Sequence, residues 1–176
     1  SGILPKDQII PGEKLVMGSS VKVYVSKLEI GPKGPFIMLS RSHYGFVKRL
    51  LEIEIPELSD GTVMLYSVAR DAGSRTKIAV YTEYNNVDPL GAVIGEKGRR
   101  IGAVLKELNG EKIDVVLYDK DPVKFIANAL SPAKDLKVTI KDENKKEALA
   151  LANDSNLSLA IGRKGQNVKL ASRLTH

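Results

Sequence analysis

Two short glycine loops hold the residues best suited to chemistry in this chain. The first reads Ile94-Gly95-Glu96-Lys97-Gly98-Arg99-Arg100 and the second Ile161-Gly162-Arg163-Lys164-Gly165-Gln166-Asn167. Glycine has no side chain, so a sugar-phosphate backbone can pack against the loop main chain. A helix that starts at the end of such a loop aims unpaired N–H groups and the positive end of its dipole at a phosphate. Lys97, Arg99, Arg163 and Lys164 add positive charge. Val93 and Ile94, and Ala160 and Ile161, precede the glycines and can floor a groove on which unstacked bases rest with their edges readable. Glu96 stands where the second loop has Arg163, and its charge opposes phosphate. One G-x-x-G carries little weight, because glycines also cap helices. A third copy, Gly31-Pro32-Lys33-Gly34, lacks flanking helical patterns and reads as a turn.

Other chemistries lack their residues. The chain has no Cys and its only internal histidine is His43, so neither thiolates nor a histidine pair can hold zinc. Nothing marks a serine nucleophile. Asp119-Lys120-Asp121 and Asp142-Glu143 read as solvated turn residues, or as an N-cap ahead of Pro122, rather than as metal carboxylates. Gly91 to Gly98 does not fit the nucleotide-binding spacing Gly-x4-Gly-Lys-Ser/Thr. No catalytic residue, metal or cofactor is expected.

The elements that must position the loops recur. Val21, Val23 and Val25 alternate with polar residues as in a half-buried strand. After the Gly31–Gly34 turn, Phe36 to Leu39 reads as a second strand, so residues 1–41 form a hairpin with too few strands to close a barrel. From Tyr44, the spacing of Phe46, Val47, Leu50 and Leu51 predicts a helix ending before Pro56. Strands follow near Thr62–Arg70 and Thr76–Glu83, turning at Asp71-Ala72-Gly73. A short helix over Val87–Ile94 has Asp88 as N-cap and Pro89 in its first turn. After the first loop, Ile101, Val104, Leu105 and Leu108 mark an amphipathic helix stopped by Asn109-Gly110, and then a strand runs from Lys112 to Tyr118.

The order then restarts. Pro132 stands nine positions after Val123, as Pro56 does after Val47. A hairpin over Leu136–Lys141 and Glu147–Ala152 follows, then a helix over Leu157–Ile161, the second loop, and a helix over Gln166–Leu174. A repeated unit with a loop at the same place in each copy is stronger evidence for a binding module than either loop alone. The fold class is α+β.

Composition agrees without deciding. The chain has 176 residues and a net charge of +6, which mildly favours a polyanion. Its 43% hydrophobic content can form real cores. No stretch is apolar enough to span a bilayer and no signal peptide opens the chain, so a cytoplasmic protein with no membrane partner is expected. Aromatic residues are only 5%, and Tyr24 and Phe36 read as core rather than as base-stacking residues.

The repeated unit resembles the type II KH domain, and the whole chain resembles the NusA family of bacterial transcription factors. The runs that carry the likeness include Leu4-Pro5-Lys6, Ile10-Pro11-Gly12-Glu13, Leu39-Ser40-Arg41-Ser42-His43, Asp60-Gly61-Thr62-Val63, Ser67-Val68-Ala69-Arg70 and Val87-Asp88-Pro89. Others are Asn109-Gly110-Glu111-Lys112-Ile113-Asp114, Ala127-Asn128-Ala129-Leu130-Ser131-Pro132, and Leu159-Ala160-Ile161-Gly162 with Gly165-Gln166-Asn167. The resemblance implies a partial S1 (OB-fold) β-barrel segment over residues 1–43, a first KH domain over 44–120 and a second over 121–176 that lacks its last strand. It further implies single-stranded nascent RNA as ligand, bound through the fourteen loop residues named above. RNA polymerase and other elongation or antitermination factors would be partners of a longer protein, whose polymerase-binding domain and first S1 strands lie outside this chain. A monomer is expected. The rival readings are an accessory segment of a ribosome-associated or RNA-processing protein, and an exoribonuclease. Phosphorolytic exoribonucleases place KH before S1, the reverse of the order here.

Overall fold

Chain-local signals set most of the elements. The computed structural model describes residues 1–176. Strands β1 (Gly2–Ile3), β2 (Tyr24–Gly31) and β3 (Gly34–Ser40) form a sheet in the order β1-β3-β2. The hairpin turns at Gly31–Gly34, where Gly34 takes φ 110°. Val21 and Val23 fall outside β2, contrary to the alternation. The reason is that β3 ends opposite Tyr24, at Ser40, and the chain then leaves for a helix. The main chain there finds a side chain instead: Arg41 Nη1 donates to the Lys22 carbonyl at 2.6 Å.

Two repeats follow. In the first, α1 (Tyr44–Glu54) is capped by His43, whose Nδ1 accepts from the Gly45 N–H at 2.9 Å. Pro56 stops α1 and also opens a further short helix, α2 (Pro56–Asp60), that the sequence pattern did not suggest. Then come β4 (Met64–Asp71), β5 (Arg75–Tyr81), α3 (Pro89–Ile94), α4 (Arg99–Lys106) and β6 (Lys112–Leu117). Strand β5 is central, antiparallel to β4 and parallel to β6. Asn109 and Gly110 both take positive φ, at 48° and 84°, and this reverses the chain between α4 and β6. In the second repeat, α5 (Pro122–Ala129) is capped by Asp121, and β7 (Lys137–Asp142) pairs antiparallel with β8 (Glu147–Leu151). Helix α6 spans Asp154–Ile161, starting three residues before Leu157 because Asn153 Oδ1 accepts from the Asn156 N–H and caps it there. Helix α7 spans Gln166–Thr175. Strand β8 has β7 on one side only, and a cavity of about 670 Å³ opens between it, α5 and α7. No helix is long and apolar enough to cross a membrane.

The β4-β5-β6 sheet is apolar on both faces, which explains the unbroken run Ile78-Ala79-Val80 in its central strand. One face packs against its own repeat, with Ile78 and Val80 joining Val47, Leu50, Leu51, Val93, Val104 and Leu108. Ile10, from the segment ahead of the hairpin, is fully buried in the same core. The other face packs against the second repeat: Ala69, Ala79 and Val116 meet Phe125, Ala129, Leu130, Leu170, Ala171 and Leu174. Alanine on both sides of this contact lets helix backbone lie close to the sheet. The second repeat therefore rests on the back of the first sheet rather than swinging on the Asp119–Asp121 link.

Buried ions tie the parts together. Glu111, with no side-chain exposure, accepts from Arg70 Nη2 at 3.0 Å, Gly73 N at 2.8 Å and Thr76 Oγ1 at 2.6 Å. Arg70 Nη1 reaches back to the His43 carbonyl at 2.8 Å. Arg41 pairs with Glu13 at 2.9 Å and donates to the Glu107 carbonyl at 3.2 Å, joining the hairpin segment to the end of α4. Lys77 is fully buried between the repeats and donates to Asp114 at 2.9 Å and to the Ser131 carbonyl at 2.7 Å. Burial pushes its ammonium below the usual lysine range, and the hydrogen bond with Asp114 opposes that shift.

Candidate nucleic-acid interface

The two glycine loops have the same backbone. Gly95 sits at φ 78°, ψ 171° and Gly162 at φ 77°, ψ 171°. Lys97 and Lys164 are left-handed at φ 56° and 55°, and Gly98 and Gly165 follow at φ 72° and 75°. Only glycine suits the first position. Its φ/ψ lies in a region closed to L side chains, and an added Cβ would come within 2.8 Å of Arg100 in one loop and 2.7 Å of Asn167 in the other. Glycine thus lets the loop close on the first turn of the following helix. The loop is a single 3-10 turn closed by Gly98 N to Gly95 O, and by Gly165 N to Gly162 O, at 3.1 Å each.

The apolar floor divides by depth. Val93 is fully buried and Ala160 nearly so, as core of their helices, whereas Ile94 and Ile161 are 39% and 45% exposed beside their loops. One helical turn earlier lie Leu90, half-buried, and Leu157, exposed. The sequence reading passed over these two, although the i, i+4 spacing from Leu90 to Ile94 and from Leu157 to Ile161 would have found them. The third G-x-x-G is the hairpin turn between β2 and β3, with no helix on either side. Tyr24 packs on the main core and stacks on the His43 ring at 5.0 Å between centroids.

Residues 41–118 match the model of the NusA-like first KH domain, and residues 122–176 that of the NusA-like second KH domain. The chain is 50% identical over 173 residues to the transcription termination/antitermination protein NusA of Bacillus subtilis strain 168, covering 98% of this chain and 46% of that one. It is 49% identical to the protein of the same name from Halalkalibacterium halodurans, again over 98% of this chain and 45% of that one. The chain belongs to the NusA family. The Thermus thermophilus NusA is 46% identical over 98% of this chain and 44% of that one. This NusA-family chain spans just under half the length of these relatives. Among solved structures, the crystal structure of APE1850 is similar at a TM-score of 0.51 and 25% identity, over 70% of this chain and 85% of that one.

Within the two KH domains, the loop residues differ in what they face. Glu96, Lys97 and Arg99 of the first domain and Arg163 and Lys164 of the second are exposed and make no ion pair. Three others are engaged by the protein. Arg100 Nη1 pairs with Glu57 and donates to the Ala92 carbonyl at 2.8 Å. Asn167 is buried, and its Nδ2 donates to the Leu130 and Ala160 carbonyls at 3.0 Å each. Gln166 Nε2 donates to Asp71 Oδ2 at 2.8 Å and Ser74 Oγ at 2.6 Å, both in the first KH domain. The spacing brought all seven residues of each loop together but could not separate those that face solvent from those that hold the loop.

Proposed function

We propose that this chain is the single-stranded RNA-binding part of a NusA-type transcription termination and antitermination factor. Residues 1–43 are an S1 (OB-fold) segment, 44–120 the first KH domain and 121–176 the second. The observation that carries this reading is the pair of loops with matching backbone dihedrals on two modules that share a packed core. RNA meets Ile94, Gly95, Glu96, Lys97, Gly98 and Arg99 in one loop and Ile161, Gly162, Arg163, Lys164 and Gly165 in the other. Arg100, Gln166 and Asn167 act through the shape of the loops. The protein is a cytoplasmic monomer without catalytic activity, and RNA polymerase and other elongation factors are partners of the longer relatives' kind of protein. One KH loop clamps about four nucleotides, so both loops are filled by one unpaired strand of about ten.

The test compares that strand with its two halves and with the strand annealed to its complement. Tethering by the first loop raises the effective concentration of RNA at the second, so the whole strand binds about a hundredfold more tightly than either half. The duplex binds weakly because its base edges are hidden. Equal affinity for halves and whole, or for duplex and single strand, would overturn the reading.

Glu96 offers a finer check. It is exposed and unpaired at the position of Arg163. E96R tightens RNA binding about threefold and steepens the logarithmic salt dependence by about 0.7, the increment for one further phosphate on a single strand. An unchanged salt slope would mean that residue 96 points away from the RNA.

A further inference from the structure

We propose that Gln166 is a positioning residue that fixes the second loop against the first KH domain and so sets the register between the two RNA sites. The proposal rests on the RNA-binding reading and adds an inter-domain device to it. Gln166 is the first residue of α7, directly after Gly165. Its amide spans the turn between β4 and β5, donating to Asp71 at 2.8 Å and Ser74 at 2.6 Å. That turn is itself immobilised. Glu111 accepts from Gly73 N at 2.8 Å, Lys112 N donates to the Ser74 carbonyl at 2.9 Å, and Gly73 lies so close to Pro11 that an added Cβ would stand 3.2 Å from the Pro11 carbonyl oxygen. At the other end of α7, Ser67 Oγ donates to the Leu174 carbonyl at 2.8 Å.

Helix α7 is therefore pinned at both ends to one strand. Its ten residues span about 15 Å, and Ser67 to Asp71 in β4 spans about 13 Å, so the two run side by side in opposite directions. Leu170, Ala171 and Leu174 supply the apolar contact between the pins, but apolar contact is non-directional and would let the helix slide. The polar pins remove that freedom, and the Gln166 pin acts where the phosphate-facing loop begins. The same position in the first KH domain is Arg99, exposed and without an ion pair. The repeat has thus diverged at one position, from a cation available to RNA to an amide committed to the neighbouring domain.

A charge exchange tests this on the whole chain. Q166E sets a carboxylate against that of Asp71, lifts the loop from the turn, and lowers affinity for the ten-nucleotide strand about tenfold. The half strand that reaches only the second loop loses less. D71N/Q166E restores the hydrogen bonds with donor and acceptor exchanged and leaves the net charge unchanged, so affinity returns to within about threefold of the parent. Without RNA, amide exchange at Gly162–Gly165 is faster in Q166E and returns to normal in the double variant. If D71N/Q166E binds as weakly as Q166E, the side chain meets RNA directly and the proposal is wrong. It is equally wrong if Q166E binds like the parent. A parent protein that fails to bind the strand at all overturns the RNA reading instead, a separate and recognisable result.

Discussion

Replacing Arg163 and Lys164 together with Asp lowers affinity for a single strand that covers both loops by about tenfold or more at physiological salt, and the fold is unaffected. Both side chains are exposed and make no ion pair, so no core or network is disturbed. Lys164 has a left-handed backbone at φ 55°, a conformation that Asp tolerates better than most residues, so the substitution adds little strain. Two cations become two anions at the mouth of the loop, and losing two phosphate contacts flattens the salt dependence by about 1.4. The matching change in the first loop, Glu96 and Lys97 both to Asp, has the smaller effect, because one of the two positions is already acidic. Filter binding or fluorescence anisotropy, with circular dichroism as the folding control, reads both. Unchanged affinity in two folded variants would remove the loops from the RNA interface.

Glu111→Ala destabilises the chain by about 3–5 kcal/mol, the usual cost of leaving one ion of a buried pair without its partner. The carboxylate is fully buried and accepts from Arg70, Gly73 and Thr76, and the side chain of Arg70 is itself only 2% exposed. Its loss leaves a guanidinium in the interior and frees the β4–β5 turn on which the second domain is pinned. Urea unfolding gives the number, and a cost below about 1 kcal/mol would contradict the buried-network picture. If the variant does not fold, a paired apolar replacement, R70M/E111L, removes both charges together and recovers part of the stability, with the Gly73 N–H, the Thr76 hydroxyl and the His43 carbonyl still left without these partners.

Residues close in the chain explain what was readable. The loops, the helices around them and the hairpins all follow from patterns within about ten residues: the i, i+3, i+4 spacing of Ile101, Val104, Leu105 and Leu108, the Asn109-Gly110 stop, and the prolines at 56, 89 and 122. The same rules misplaced the start of β2. There β3 ends opposite Tyr24, and the Lys22 carbonyl is taken instead by Arg41, 19 positions on. They also missed α2, because a proline that ends one helix can open another.

By itself, then, the sequence determined the α+β class, the repeat and the two glycine loops, because helix, turn and strand preferences act over short separations. Only the tertiary structure decided that the second repeat packs on the back of the first sheet, through Ala69 and Ala79 against Ala129, Leu170 and Leu174. It alone separated the loop residues open to solvent from Arg100, Gln166 and Asn167, whose partners lie elsewhere in the chain. Gln166 meets Asp71 across 95 positions, and Arg70 meets Glu111 across 41. Polar pairs over such separations leave no period in a sequence, since one amide or one carboxylate reads the same whether it faces water or another domain.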